Sequence, residues 1–185
     1  MSLDIIIGPM FAGKSSRVAD IVSRYEALGT RVLLVKPKCD NRYESNDNSH
    51  VTHNRRKTVC IAVNDLDDIP KQAIESCQVI IVDEAQFFKY LVPFCEWMVD
   101  SLEKKLYLVG LDGDSNRRKF GEILECIPLA DRVEKLHAFC KKCANGTPGL
   151  FSSRKAQAPT EQVTIGGDDL YETLCRECYL RQFIE

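Results

Sequence analysis

Five short apolar runs punctuate the chain: Leu3-Asp4-Ile5-Ile6-Ile7, Arg31-Val32-Leu33-Leu34-Val35, Val59-Cys60-Ile61-Ala62-Val63, Val79-Ile80-Ile81-Val82 and Leu106-Tyr107-Leu108-Val109. Nearly continuous runs of this length read as strands buried on both faces. Between them, apolar residues return at helical spacing. Residues 15–28 place Val18, Ala19, Ile21, Val22, Tyr25 and Leu28 on one face, and Gly29 suits the left-handed position that ends a helix. Residues 65–76 carry helical spacing with Pro70 early in it. Residues 90–104 predict a helix with Leu91, Phe94, Cys95, Met98 and Leu102 inward. Residues 120–131 tend to helix until Pro128 disturbs the end. This alternation predicts an α/β domain with a parallel sheet covered by helices on both faces. Residues 38–57 are polar and predict a long surface loop, a length usually tied to function or disorder. Near residue 138 the alternation stops, and Gly, Pro, Ser and Cys take over. The chain therefore divides into 1–138 and 139–185.

The first strand runs into Gly8-Pro9-Met10-Phe11-Ala12-Gly13-Lys14-Ser15, and a helix follows. The segment fits G-x-x-x-x-G-K-S/T at every fixed position and in the right strand–loop–helix context. Glycines let backbone N–H groups turn inward around phosphate oxygens. The helix that starts at Lys14 or Ser15 points its positive end at the same anion. Lys14 then reaches the β- and γ-phosphates, and the Ser15 hydroxyl ligates magnesium. A glycine turn that matches by chance is the bland alternative, and five fixed positions with correct flanks weigh against it.

Val79-Ile80-Ile81-Val82 leads into Asp83-Glu84. An acid at the carboxyl end of a buried strand is the second signature of a P-loop enzyme. Asp83 holds magnesium, directly or through water. Glu84 points elsewhere, because side chains alternate along a strand. It is placed to accept a proton from an attacking hydroxyl or water. The pair alone does not separate a kinase from an ATPase.

Nine cysteines in a secreted chain would suggest disulfides. Here the N-terminus enters a strand and the phosphate loop at once, with no signal-peptide pattern, which predicts a cytoplasmic protein. In a reducing compartment clustered cysteines suggest metal. Cys140-Lys141-Lys142-Cys143 and Cys175-Arg176-Glu177-Cys178 are two C-x-x-C knuckles, 31 residues apart. Four thiolates so paired suit tetrahedral zinc, and a closed four-sulfur site is structural rather than catalytic. The stretch between the knuckles predicts a zinc-anchored flap over a small substrate. Cysteines 39, 60, 77, 95 and 126 are scattered and read as ordinary core or surface positions. The net charge of −2 gives no global reason to bind nucleic acid. No run of about 18 apolar residues occurs, so no membrane span is expected.

These motifs resemble a thymidine kinase of the cellular and poxvirus type. The resemblance rests on the phosphate loop, Asp83-Glu84-Ala85-Gln86-Phe87-Phe88, Leu111-Asp112-Gly113, Lys119-Phe120-Gly121, both cysteine pairs and Ile165-Gly166-Gly167 followed by Tyr171. It implies a RecA-like P-loop sheet with a small zinc-ribbon and lasso-loop domain. It implies transfer of the ATP γ-phosphate to the 5′-hydroxyl of thymidine, in a homotetramer with structural zinc. Glu84 is then the general base, and Asp83 and Ser15 serve magnesium. Phe87 and Phe120 line the nucleoside pocket, with Met10 and Leu111 near the base. The backbone of Gln162, Val163, Thr164, Ile165 and Gly166 pairs with the thymine edge, with Tyr171 and Ser152 nearby. Buried polar pairing of that kind rejects a base with the wrong pattern.

Two positions depart from the family pattern. Ser115 stands where relatives carry a phenylalanine that contacts substrate, and Asn54 stands where many carry aspartate. Of the basic clusters Arg55-Arg56-Lys57 and Arg117-Arg118-Lys119, Arg56 is the candidate phosphate clamp; the others stay open between that role and solvated loop charge. His50, His53 and His137 are isolated and read as hydrogen-bonding positions. The competing reading is a RecA-like ATPase acting on nucleic acid, which predicts a basic stripe. A binding module with a vestigial nucleotide site predicts loss of Lys14, Ser15, Asp83 or Glu84, and all four are present.

Overall fold

Strands β1 (Ser2–Ile7), β2 (Val32–Pro37), β3 (Val59–Val63), β4 (Val79–Val82), β5 (Lys105–Gly110) and β6 (Arg132–Lys135) form one parallel sheet. Their order is β3-β2-β4-β5-β1-β6. The computed structural model describes residues 1–39, 58–155 and 168–184. Alternating side chains split the sheet residues between two cores. Leu3, Ile5, Ile7, Leu33, Val35, Ile80, Val82, Leu106 and Leu108 face one layer. There they meet Ile74 of helix α2 (Lys71–Ser76) and Leu91, Phe94 and Cys95 of helix α3 (Leu91–Cys95). Ile6, Leu34, Ile81 and Val109 face the other way, onto Val18, Ile21 and Val22 of helix α1 (Lys14–Ala27). Helices thus cover both faces, as the apolar runs predict.

Four details differ from the sequence reading. Ala19 and Leu28 are exposed, so the α1 stripe is narrower than its periodicity suggests. Leu102 is 36% exposed. The helix opens into a π turn over Glu96–Ser101, and the Leu102 N–H donates five residues back to the Trp97 carbonyl. That wider turn rotates Leu102 off the α-helical face. Residues 123–129 form a 3-10 helix around Pro128 and not a regular one, because proline cannot donate to the α ladder. Strand β6 carries no apolar run in the sequence. Its Arg-Val-Glu-Lys sequence is polar because an edge strand has a single neighbour and much exposed surface.

Beyond β6 lies a smaller structure. Strands β7 (Ala138–Phe139) and β8 (Pro148–Gly149) pair, as do β9 (Phe151–Arg154) and β10 (Tyr171–Leu174), both antiparallel. Helix α4 (Arg176–Arg181) follows. Cys140, Leu174, Cys175 and Tyr179 make a separate small core with Phe151 packed on it. Among the described residues no helix is long and apolar enough to cross a membrane.

Candidate active site and metal centre

The phosphate loop leaves β1 at the carboxyl edge of the sheet. Gly8 is required by close approach: a Cβ there would lie 2.6 Å from the Leu136 carbonyl oxygen. No side chain caps α1, and its first turn holds no acid. A helix start of that kind suits an anion. Lys14 is buried, and its Nζ donates to the carbonyls of Gly8 at 3.2 Å and Pro9 at 2.8 Å. Those bonds fold the lysine back along the loop it belongs to. Phe11 takes a left-handed backbone with φ 61°. Ser15 is exposed at the helix start.

Asp83 follows β4, two strands from the loop's own strand, with β5 between. It is buried, and its Oδ1 accepts the Glu84 N–H at 3.0 Å. Lys36 Nζ lies 3.8 Å from its Oδ2. Burial, and the Glu84 carboxylate beside it, push the Asp83 carboxyl up to about 6; Lys36 and Lys14 oppose that rise. A buried carboxylate in this balance fits a divalent cation, which favours its ionised form.

Strand alternation does not extend to Glu84. The chain leaves β4 at Asp83, and Glu84 sits in the left-handed region at φ 51°, ψ 41°. A non-glycine residue enters that region at a cost of about 1–2 kcal/mol. A 3-10 turn, Ala85–Phe87, follows. Within it Gln86, only 3% exposed, donates from Nε2 to Glu84 Oε2 at 2.6 Å. Gly121 packs on the Gln86 backbone, where an added Cβ would approach the carbonyl oxygen to 2.2 Å.

Two aromatic rings come together beside this acid. Phe87 and Phe120 lie edge to face, with centroids 5.5 Å apart. The loop that carries Phe120 is tied down from both ends. The Asp114 carboxylate accepts the N–H groups of Asn116 and Arg118, both at 2.9 Å. Tyr179 donates its hydroxyl to the Ser115 carbonyl at 2.7 Å. The Arg117 guanidinium lies over the rings of Tyr179 and Phe151 at 4.5 and 5.3 Å. Lys119 pairs with Glu125. Arg117 and Lys119 therefore serve the loop itself. The smaller structure also reaches the phosphate loop, since the Met10 N–H donates to Ser152 Oγ at 2.9 Å.

The sulfurs of Cys140, Cys143, Cys175 and Cys178 all lie within 4.8 Å of one another. Cys143 Sγ is 3.8 Å from Cys175 Sγ and 3.5 Å from Cys178 Sγ. Four sulfurs about 2.3 Å from a tetrahedral zinc would be about 3.8 Å apart. The Cys178 N–H points at Cys175 Sγ, 3.5 Å away, as expected of a knuckle that stabilises a thiolate. The donor set fits zinc with no position left for a substrate.

A family model for thymidine kinase matches residues 1–179. The thymidine kinase of rabbit fibroma virus is 40% identical over 177 residues, covering 96% of this chain and 95% of the viral protein. That of monkeypox virus is 40% identical over 179 residues, covering 96% of each. A rice thymidine kinase is 42% identical over 183 residues, covering 96% of this chain and 66% of the plant protein. The chain belongs to the thymidine kinase family.

The thymidine kinase motifs converge in space. Gly8 to Ser15, Asp83 and Glu84 share the carboxyl edge of the sheet. Met10 touches Ser152, and Phe87 touches Phe120. Leu111 donates its N–H to Gln86 Oε1 at 3.0 Å. Tyr171 is buried in β10, with Arg154 over its ring. Arg56, Gln162, Val163, Thr164, Ile165 and Gly166, with Asn54, His50 and His53, lie outside the described residues. His137 is exposed, with Nδ1 3.3 Å from the Ala138 carbonyl oxygen. Cys77, Cys95 and Cys126 are buried, Cys60 is half-buried, and Cys39 is exposed. Lys36, Gln86, Asp114 and Thr173 have no site role assigned from sequence. A buried polar side chain next to a motif acid is the signal for Gln86; Lys36 and Thr173 meet their partners only through strand order.

Proposed function

We propose that the chain transfers the γ-phosphate of ATP to the 5′-hydroxyl of thymidine, giving dTMP and ADP. One observation carries this reading: a phosphate loop, two acids and an aromatic pair share one edge of a sheet in a chain matched to thymidine kinase over residues 1–179. The loop amides and Lys14 cradle the β- and γ-phosphates. Ser15 and Asp83 would hold a magnesium ion, whose charge would offset that building on the phosphates. Glu84 takes the proton of the 5′-hydroxyl as that oxygen bonds to the γ-phosphorus. The bond from the γ-phosphorus to the bridging oxygen breaks, and ADP leaves with the electron pair. Gln86 holds Glu84 still while this occurs. Arg56 clamps the phosphates from the 38–57 stretch.

Phe87 and Phe120 form the wall against the nucleoside, with Met10, Leu111, Ser152 and Tyr171 around it. The backbone of Gln162 to Gly166 pairs with the thymine edge. Residues 139–185 act as a zinc-pinned domain that closes over the nucleoside and excludes water, which favours the alcohol as acceptor. The four cysteines hold a structural zinc. Resemblance extends the reading to a cytoplasmic homotetramer without a nucleic-acid partner. The net charge of −2 supports that last point against a nucleic-acid-driven ATPase.

The test is transfer of labelled phosphate from ATP to each of the four deoxynucleosides, beside a reaction without acceptor. Label on thymidine, and little release without acceptor, is expected. Equal ATP breakdown with and without thymidine removes the proposal.

A further inference from the structure

Thr173 lies opposite Ser152 in the β9–β10 pair, and both are buried. Each reaches the same residue of the phosphate loop. Ser152 Oγ accepts the Met10 N–H at 2.9 Å, and Thr173 Oγ1 donates to the Met10 carbonyl, also at 2.9 Å. Both main-chain groups of Met10 are thereby held by a single cross-strand pair. On its other side Thr173 is bound to the cysteine knuckle. Its carbonyl accepts the N–H of Lys141, which sits between Cys140 and Cys143, at 2.9 Å. Its methyl group occupies the space that a Cβ at Gly149 would need, with the added atom 2.9 Å away. A threonine wedged there keeps one rotamer, so its hydroxyl direction is fixed.

The effect on the loop follows from peptide geometry. The amide that joins Met10 to Phe11 is planar and trans, so its C=O and N–H point in opposite directions. A carbonyl held toward Thr173 turns the Phe11 N–H away from β10. Phe11 itself is left-handed, at φ 61°, which a phenylalanine adopts only where its surroundings enforce it. The two bonds on Met10 stand directly before that strained residue. Loss of the Thr173 hydroxyl leaves the half-buried Met10 carbonyl without this donor and frees the peptide to rotate.

We propose that Thr173 is a positioning residue through which the four-cysteine knuckle holds the phosphate loop in its triphosphate-binding shape. The proposal rests on the reading of this loop as an ATP site and extends it. The smaller domain governs the phosphate donor as well as the nucleoside.

The experiment measures magnesium–ATP affinity by calorimetry on the full-length, zinc-loaded protein, without thymidine. Thr173→Val keeps the shape and removes the donor; it should weaken ATP about fivefold to tenfold, the range of one lost hydrogen bond. Thr173→Ser, which restores the hydroxyl, should stay within about twofold of the parent. Ser153→Ala is the comparison for simple damage to the hairpin. Ser153 is buried on β9, next to Ser152, and donates to Gln182 Oε1 at 2.8 Å, away from the loop. It should lower the melting temperature and leave ATP affinity alone. If Thr173→Val does not fold, Thr173→Cys, with a weaker donor, makes the same comparison. ATP binding by Thr173→Val equal to the parent's overturns the proposal, as does equal weakening by Ser153→Ala. A parent that binds no ATP overturns both this inference and the proposed function. A parent that binds ATP, shows the expected pattern and fails to phosphorylate thymidine leaves this inference standing and removes the function alone.

Discussion

Gln86 grips Glu84 at 2.6 Å through its amide nitrogen, while its amide oxygen receives the Leu111 N–H at 3.0 Å. One buried side chain thus links the proposed base on β4's exit to the loop after β5. Both ends of the amide are used, so neither can shift without leaving a buried group unpaired. Gln86→Leu is expected to lower kcat about tenfold to a hundredfold through loss of base alignment. ATP affinity should stay near the parent value. Steady-state kinetics with separate titrations of both substrates checks the split.

Glu84→Gln keeps the shape of the site and removes the proton acceptor. Transfer should fall by about 10² to 10⁴, the usual contribution of a positioned base. ATP binding should survive. A variant that phosphorylates thymidine at the parent rate rejects the assignment.

Asp83 makes the metal-free protein pH-sensitive. Its carboxyl is raised to about 6 from an ordinary aspartate value of 3.8. The folded state therefore binds more protons than the unfolded one between those values. The stability that Asp83 contributes is complete below about pH 4 and is lost as pH rises through about 6. Asp83→Asn cannot ionise and should not lose it. At pH 8 without magnesium, the asparagine variant should be more stable by up to about 3 kcal/mol. Urea denaturation of both proteins from pH 4 to 8 checks the convergence at low pH and the gap at high pH.

Metal analysis should find one zinc per chain, lost in Cys143→Ser. Because the Phe120 loop hangs from Tyr179, loss of zinc should raise the thymidine KM as well as lower the melting temperature. Purified protein without zinc rejects the four-sulfur reading.

The sequence disclosed this site unevenly, for physical reasons. The phosphate loop is legible because its chemistry is local: Gly8 to Ser15 must follow one another to form the nest. The cysteine knuckles are legible for the same reason, each pair lying within four residues. The sheet is legible because strands buried on both faces have no polar alternation to hide them. Edge strand β6 is not, since Arg132, Val133, Glu134 and Lys135 answer to solvent more than to a core. The exit of Leu102 depends on a π turn that no apolar period announces. Lys36 and Asp83 are partners only because β2 lies beside β4. Thr173 and Met10, 163 positions apart, meet only when the hairpin is laid on the loop.

The bond from Tyr179 ends on the main chain of residue 115, not on its side chain. The tether is therefore indifferent to which amino acid occupies that position. Any residue other than a backbone-breaking one could stand at 115 and leave this suspension in place.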